Sequence, residues 1–253
     1  MAVNLKSFRE IEMIAASGKI LARVFQAVAE KAEIGVSLKS LDELARELIK
    51  KSGAEPAFLG YKPAGAKKPY RASICASVND VIVHGFPSNY KLKAGDLLKL
   101  DFGVKYQGFY SDAAATLGIG AISKQAAQLI KATKEALEEA VLAAAPGNRL
   151  GDIGFVVSKT AKKYGFKPIK GLTGHGIGKE LHEDPTIYNH GKKGEGIELK
   201  PGMVLAIEPM LSAGSDEIIQ KPDESWATAD GSLSAHFEHT VEIIEEGSKI
   251  LTN

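Results

Sequence analysis

Four acidic residues stand where the surrounding sequence argues against them. Asp101 lies inside the apolar run Leu97-Leu98-Lys99-Leu100-Asp101-Phe102-Gly103-Val104, and Asp112 lies in the next extended stretch, Tyr110–Leu117. Glu208 follows Met203-Val204-Leu205-Ala206-Ile207, and Glu238 sits in His236-Phe237-Glu238-His239-Thr240. Aspartate is depleted from strands, so each position needs a reason. A hairpin over Tyr106-Gln107-Gly108, centred between Tyr106 and Gln107, sets Asp101 directly opposite Asp112. Cross-strand Cβ atoms lie about 4.5–5.5 Å apart, and like charges there are destabilising. Three readings are open: a shared proton, a cation between the carboxylates, or a different turn that sends both to solvent. Four carboxylates converging in one buried place repel unless neutralised, and two divalent cations supply the matching charge.

A nitrogen donor is at hand. Gly174-His175-Gly176-Ile177-Gly178-Lys179-Glu180-Leu181-His182-Glu183-Asp184-Pro185 carries two imidazoles among glycines. Glycines so closely spaced are too costly for a helix interior, and lacking Cβ they let another group approach the backbone. Pro185 closes the segment and pushes Asp184 toward an extended conformation. The plain alternative is a glycine-rich turn with two surface histidines. Oxygen ligands with an imidazole suit Mn, Fe, Co or Zn better than an ion that takes oxygen alone. No H-E-x-x-H, paired cysteines or Walker loop is present, and the glycine run lacks dinucleotide-binding spacing.

Helices and strands must position these groups. Apolar residues at helical spacing predict a helix from Ser7 to Lys31, with Ser7 and Glu10 as a capping box, and a second from Ser37 to Lys51. Residues 54–71 form a long loop punctuated by Pro56, Gly60, Pro63, Gly65 and Pro69. Its Lys62, Lys67, Lys68 and Arg71 read as a solvated surface. Strands follow at Ala72–Val78, Val81–His84, Leu97–Val104 and Tyr110–Leu117. Helices recur at Ser123–Ala145 and Leu150–Tyr164, then strands at Met203–Pro209 and Leu233–Ile244. Helices then strands, twice over, predict two similar αβ halves, residues 1–120 and 121–253, within a single domain.

The chain has 253 residues, 44% hydrophobic and 25% charged, enough for a large core. A net charge of +1 gives no global field for nucleic acid or a membrane surface. A single cysteine, Cys75, excludes an internal disulfide and fits a reducing cytoplasm. The N-terminus leads straight into a charged amphipathic pattern, so no signal peptide is expected, and no apolar run approaches a bilayer span.

Several motifs together carry a resemblance. They are Ser77-Val78-Asn79-Asp80-Val81-Ile82-Val83-His84-Gly85-Phe86-Pro87, Gly95-Asp96 through Asp101 to Asp112, Gly174–Pro185, Lys200-Pro201-Gly202-Met203 through Glu208-Pro209-Met210, and Ser232–Thr240. In this order, over nearly the whole chain, they resemble the type I methionine aminopeptidases. The resemblance implies an α+β pita-bread fold, two pseudo-symmetric αβ halves around a curved antiparallel sheet with the metal site at its centre. It implies two divalent ions (Co, Mn, Fe or Zn) on Asp101, Asp112, His175, Glu208 and Glu238. It implies removal of the initiator methionine from nascent chains by a hydroxide bridging the two ions, with a small second residue favoured. Glu208 would be the general base, His182 would hold the scissile carbonyl, and His84 would contact the following peptide nitrogen. Phe58, Tyr61, Cys75, Leu181 and Trp226 would line the methionine pocket, although Trp226 alone reads equally as a core aromatic. Nascent N-termini are the expected partners, with the ribosome a further candidate, in a monomeric cytoplasmic protein.

The chain departs from the family pattern in a longer loop between Tyr61 and Cys75, in Gly103 where a small hydroxyl residue is common, and in Leu181 where an aromatic is common. Proline peptidases of the same fold share the five ligands but usually carry a sizeable N-terminal domain, for which His84 comes too early. A non-catalytic binding protein on this fold would be expected to have lost ligands, and all five are here.

Overall fold

The computed structural model describes residues 3–62 and 67–253. The first half runs α1 (Phe8–Glu30), α2 (Leu38–Lys51), β1 (Glu55–Pro56), β2 (Cys75–Val78), β3 (Val81–Val83), β4 (Leu97–Tyr106) and β5 (Phe109–Gly118). The second runs α3 (Lys124–Ala143), α4 (Leu150–Lys163), β6 (Lys167–Pro168), β7 (Thr173–Gly176), β8 (Glu183–Tyr188), β9 (Val204–Ile207), β10 (Met210–Ser212), β11 (Ile218–Gln220), β12 (Trp226–Thr228), β13 (Ser234–His236), β14 (Glu238–Ile244) and β15 (Gly247–Ile250).

Capping fixes the helix starts. Ser7 accepts the Glu10 N–H while Glu10 reaches back to the Ser7 N–H, the expected capping box. Ser37 and Ser123 cap α2 and α3 in the same way. Helix α1 buries Ile14, Leu21, Val24 and Val28 against the first half of the sheet, while Phe8, expected on that face, is 77% exposed. Helices α3 and α4 cover the second half with Leu129, Ala136, Ile153 and Val157.

The main sheet is antiparallel, in the order β1-β4-β5-β14-β9-β7-β8, with β2 on β4 and β15 on β14. Both halves contribute to it, and they meet between β5 and β14. Among the described residues, only Ala114 with Glu238 and Ala113 with His239 pair there. Two threonines replace the missing ladder. Thr240 Oγ1 accepts the Asp112 N–H at 2.9 Å and donates to the Asp112 carbonyl at 2.8 Å. Thr116 Oγ1 does the same with His236 N–H and C=O, each at 2.8 Å.

Strand alternation explains the buried acids. On β4, Leu98, Leu100, Phe102 and Val104 join the core under α1, so Lys99, Asp101 and Gly103 face the other way. Several expectations need correction. The β4–β5 turn lies over Gln107-Gly108, both at positive φ (48° and 84°), with Tyr106 paired to Phe109. A two-residue hairpin of this twist needs positive φ at both central residues, and Gly108 is the residue that takes it most easily. Asp101 is therefore opposite Ala114, and Asp112 is opposite Gly103. The two aspartates are diagonal neighbours on one face, with side-chain room between them.

The extended run to Pro209 breaks at Glu208-Pro209, where β9 ends and β10 begins in another sheet. Glu208 is thus at a corner and not inside a strand; proline, with no N–H, suits the break. The run Leu233–Ile244 breaks likewise at Phe237, between β13 and β14. His84 lies just beyond β3, at φ 60°. Pro185 does not end its segment: it lies inside β8, at the edge of the sheet, where a missing N–H is tolerated. The long loop contains the short strand β1, paired with β4. Of this loop, 63–66, including Pro63 and Gly65, lie outside the described residues.

Candidate metal centre and substrate cavity

The face of the sheet turned away from the helices floors a cavity of about 1110 Å³. All the residues singled out above line it: Asp101, Asp112, His175, Glu208 and Glu238, the histidines His84 and His182, and Phe58, Tyr61, Cys75, Leu181 and Trp226. The acids lie at its floor: Asp101, Asp112 and Glu238 are buried, and the Glu208 side chain is 11% exposed.

His175 is carried on β7, where glycines let neighbours close in. A Cβ on Gly174 would lie 2.4 Å from the Ala206 carbonyl oxygen, and one on Gly176 would lie 2.2 Å from that of Asp184. The close approach expected at these glycines is made by the protein's own backbone. Gly103 has the same cause: a Cβ there would meet Ser111 O at 2.8 Å and Ala57 Cβ at 2.9 Å. His175 Nδ1 lies 2.9 Å from the Gly176 carbonyl. A carbonyl only accepts, so Nδ1 carries the proton and Nε2 is left with a lone pair. That Nε2 faces Glu208 Oε1 at 3.6 Å.

Two groups of donor atoms converge, each with its atoms within 4.8 Å of one another: Asp112, His175 and Glu238, and Glu208, His236 and Glu238. Asp101 lines the same cavity but belongs to neither group. Burial pushes the carboxyls of Asp101, Asp112, Glu208 and Glu238 up from their ordinary values. Their mutual repulsion raises Asp112 and Glu238 further. Burial also pushes the His236 imidazole down, to about 4. Among the described residues, Glu238 Oε1 and both ring nitrogens of His236 have no hydrogen-bond partner. Orphaned buried acceptors are costly, and a divalent cation would satisfy the Glu238 oxygen and one of the two ring nitrogens. The residues present therefore fit a metal centre of mixed carboxylate and imidazole ligands.

The substrate-facing groups surround this floor. The His182 ring lies 4.3 Å from that of His175, edge to face, and Tyr61 Oη lies 2.5 Å from His182 Nδ1. Tyr61 is held by a clip in which Gly60 N–H donates to Tyr70 C=O and Tyr70 N–H to Tyr61 C=O, both 2.8 Å. His182 sits in a turn closed by the Glu183 carboxylate, which accepts the Lys179 and Glu180 N–H groups and pairs with buried Lys6. Solvent reaches His84 and His182, yet protein surrounds both. Desolvation pushes their imidazoles down, His84 to about 4. Trp226, on β12, is half-buried on the cavity wall and pairs with Val83 beside His84. Lys67, Lys68 and Arg71 are exposed, as expected, and lie along the cavity rim.

The sequence reading passed over His236. Its position two residues before Glu238 was a usable signal, because alternate residues of an extended chain share a face.

Comparison with known proteins agrees with this geometry. The family model described as metallopeptidase family M24 matches residues 12–245. A methionine aminopeptidase of Aquifex aeolicus is 47% identical, covering 100% of this chain and 99% of its own. The crystal structure of a methionine aminopeptidase from Thermotoga maritima superposes with a TM-score of 0.95 at 40% identity, covering 100% of both chains. A prolidase from Pyrococcus furiosus superposes less well, with a TM-score of 0.78 at 26% identity over 98% of this chain but 65% of its own. The expected pita-bread fold is the fold observed. This chain belongs to metallopeptidase family M24, with the methionine aminopeptidases.

Proposed function

We propose that this chain removes the N-terminal methionine from nascent proteins and peptides, with Asp101, Asp112, His175, Glu208 and Glu238 holding two divalent ions of the Mn, Fe, Co or Zn kind. The observation that carries the reading is the convergence of three buried acids, the nearly buried Glu208 and His175 on the floor of one cavity. Bound divalent metal supplies Lewis acidity and a lowered pKa for the attacking water. Everything else falls to the side chains.

Glu208 reaches the cavity floor with its carboxylate and serves as general base, taking the proton of the water and passing it to the departing amine. Burial raises the Tyr61 phenol, so it keeps its proton, and on this reading it is the donor in the 2.5 Å contact with His182 Nδ1. His182 then carries its proton on Nε2, the right form to donate to the scissile carbonyl oxygen as negative charge develops there. His84, held in the left-handed region beyond β3, offers its ring to the next peptide nitrogen. Phe58, Tyr61, Cys75, Leu181 and Trp226, which all line the cavity, take the methionine side chain, and the second residue favoured is a small one, as in the resemblance. The same reading makes the protein a cytoplasmic monomer, one domain of two halves, that meets its substrates near the ribosome. Among the described residues no helix is long and apolar enough to cross a membrane.

The test is release of methionine from Met-Ala-Ser, and of the first residue from an X-Pro peptide. Metal-free protein is assayed with Mn, Co, Fe or Zn restored, beside Asp112→Asn. Metal-dependent cleavage of Met-Ala-Ser alone, lost by at least about 100-fold in the variant, is expected. Preference for X-Pro would move the activity to the proline peptidases; no cleavage and no bound metal would sink the reading.

A further inference from the structure

Lys6 precedes α1 and stands before the residues matched by the family model, 12–245. It is nevertheless buried, at 8% exposure, although lysine is rarely buried unless its charge is paired. Its stem packs on the backbone of the loop ahead of His182: a Cβ on Gly178 would lie 2.5 Å from Lys6 Cε. Its backbone N–H donates to the Gly202 carbonyl at 2.8 Å, which ties the segment down independently of the side chain. The ammonium donates to the Asn4 carbonyl at 3.2 Å and to Glu183 Oε2. The other oxygen of that carboxylate, Oε1, accepts the N–H groups of Lys179 at 2.8 Å and Glu180 at 3.1 Å. One carboxylate thus faces the N-terminal segment with one oxygen and closes the turn carrying His182 with the other.

We propose that Lys6 is a positioning residue for His182: its buried ammonium fixes Glu183, Glu183 fixes the turn, and the turn aims the imidazole at the scissile carbonyl. The proposal rests on the role given to His182 above. A group that meets developing charge works only where it is held in place, and a misplacement of about 1 Å can cost about 100-fold in rate. Removing Lys6 alone leaves the Glu183 carboxylate, 12% exposed, without its counter-charge, which is the costly way to break a buried pair. Drawn toward water, that carboxylate takes the Lys179 and Glu180 N–H groups with it. His175, carried on β7 and paired there with Ala206 of β9, stays where it is.

The experiment uses the full-length protein, loaded with Co(II) and assayed on Met-Ala-Ser below the melting temperature of every variant. Lys6→Met keeps the length of the stem and removes the charge. It should lower kcat about tenfold, with KM within about twofold and Co(II) affinity within about threefold. Lys6→Met/Glu183→Gln should return kcat to within about threefold of the wild type, because the amide oxygen still accepts both N–H groups and no charge is left unpaired. In a His182→Ala background, Lys6→Met should cost less than about twofold, since the residue it positions is gone. Should Lys6→Met fail to fold, Glu183→Gln enters the same cycle, with the ammonium as the unpaired partner. Equal losses in both backgrounds, or a less stable variant with kcat intact, overturn the role of Lys6 while that of His182 stands. Undiminished cleavage by His182→Ala overturns the role of His182 and the proposal with it.

Discussion

At the floor of the cavity, single atoms decide what each side chain can do. The Gly176 carbonyl beside His175 Nδ1 leaves the Nε2 lone pair free toward Glu208. In the function proposed above, the Tyr61 hydroxyl beside His182 Nδ1 places that ring's proton on Nε2, so two imidazoles whose ring centres lie 4.3 Å apart serve one as lone-pair donor and the other as proton donor. Tyr61→Phe tests the second assignment. Without the phenol the proton of His182 divides between its two nitrogens. We expect kcat to fall about tenfold, a loss of about 1.4 kcal/mol of transition-state stabilisation, with KM changed less than about twofold. A larger change in KM than in kcat would mean that Tyr61 serves the methionine pocket and not the imidazole.

Elements carry these atoms, and their close packing is as exacting as the ligands. Strand β7 can approach β9 because Gly174 has no Cβ: one would lie 2.4 Å from Ala206 O and 3.4 Å from Glu208 Cγ. Gly174→Ala should therefore cost about 1–3 kcal/mol of stability by overpacking. It should also weaken metal binding about tenfold, although Gly174 supplies no ligand; denaturant unfolding and metal titration read the two effects. At the start of α1, Glu10 caps the helix and pairs with Lys179, which lies in the turn leading to His182, at 2.7 Å. The Lys179 ammonium and the two hydrogen bonds from Ser7 hold the Glu10 carboxyl down at about 2, against an ordinary 4.5. A depressed carboxyl stabilises the fold above its unfolded value and loses that contribution as pH falls toward its folded value. Thermal melts of Glu10→Gln should therefore lie below the wild type at pH 7 and converge with it as pH falls from about 4.5 toward 2. Lys179 is exposed and solvent screens its pairing with Glu10, so the difference at pH 7 should be about 1 kcal/mol, mostly from the cap.

Across the whole molecule, the centre depends on two halves meeting at one seam. Asp101, Asp112 and Glu238 come from β4, β5 and β14, His175 from β7, and Glu208 from the corner after β9. No half holds the set alone. The seam has two ladder pairs and then relies on Thr240 and Thr116. Thr240→Val keeps the shape but leaves the buried N–H and C=O of Asp112 without partners. It should cost about 2–4 kcal/mol and lower metal affinity, by slackening the strand that holds Asp112. Unfolding curves with and without metal check this: the metal-dependent gain in stability should shrink in the variant. An equal gain in both proteins would show that the seam does not tune the centre.

Much of the site was legible in the sequence because its residues break local rules. Asp101 interrupts an apolar strand, Glu208 ends one, and glycines around His175 forbid a helix; each anomaly is visible within about ten residues. Helix starts at Ser7, Ser37 and Ser123 were equally local, because a cap is a matter of a few neighbouring hydrogen bonds. The apolar face of α1 was legible too, except at Phe8, where the core does not extend. What the sequence could not determine depended on contacts between distant segments. The register of β4 with β5 turned on which two residues took positive φ, and it moved Asp112 from opposite Asp101 to opposite Gly103. The breaks at Glu208-Pro209 and Phe237 arise because one chain serves two sheets, a choice made by the pairing partners. The chain alone determined which residue types were available for chemistry and that their local setting was anomalous. Only the tertiary structure decided which of them share a floor, because cross-sheet pairing and the threonine seam link residues more than a hundred positions apart.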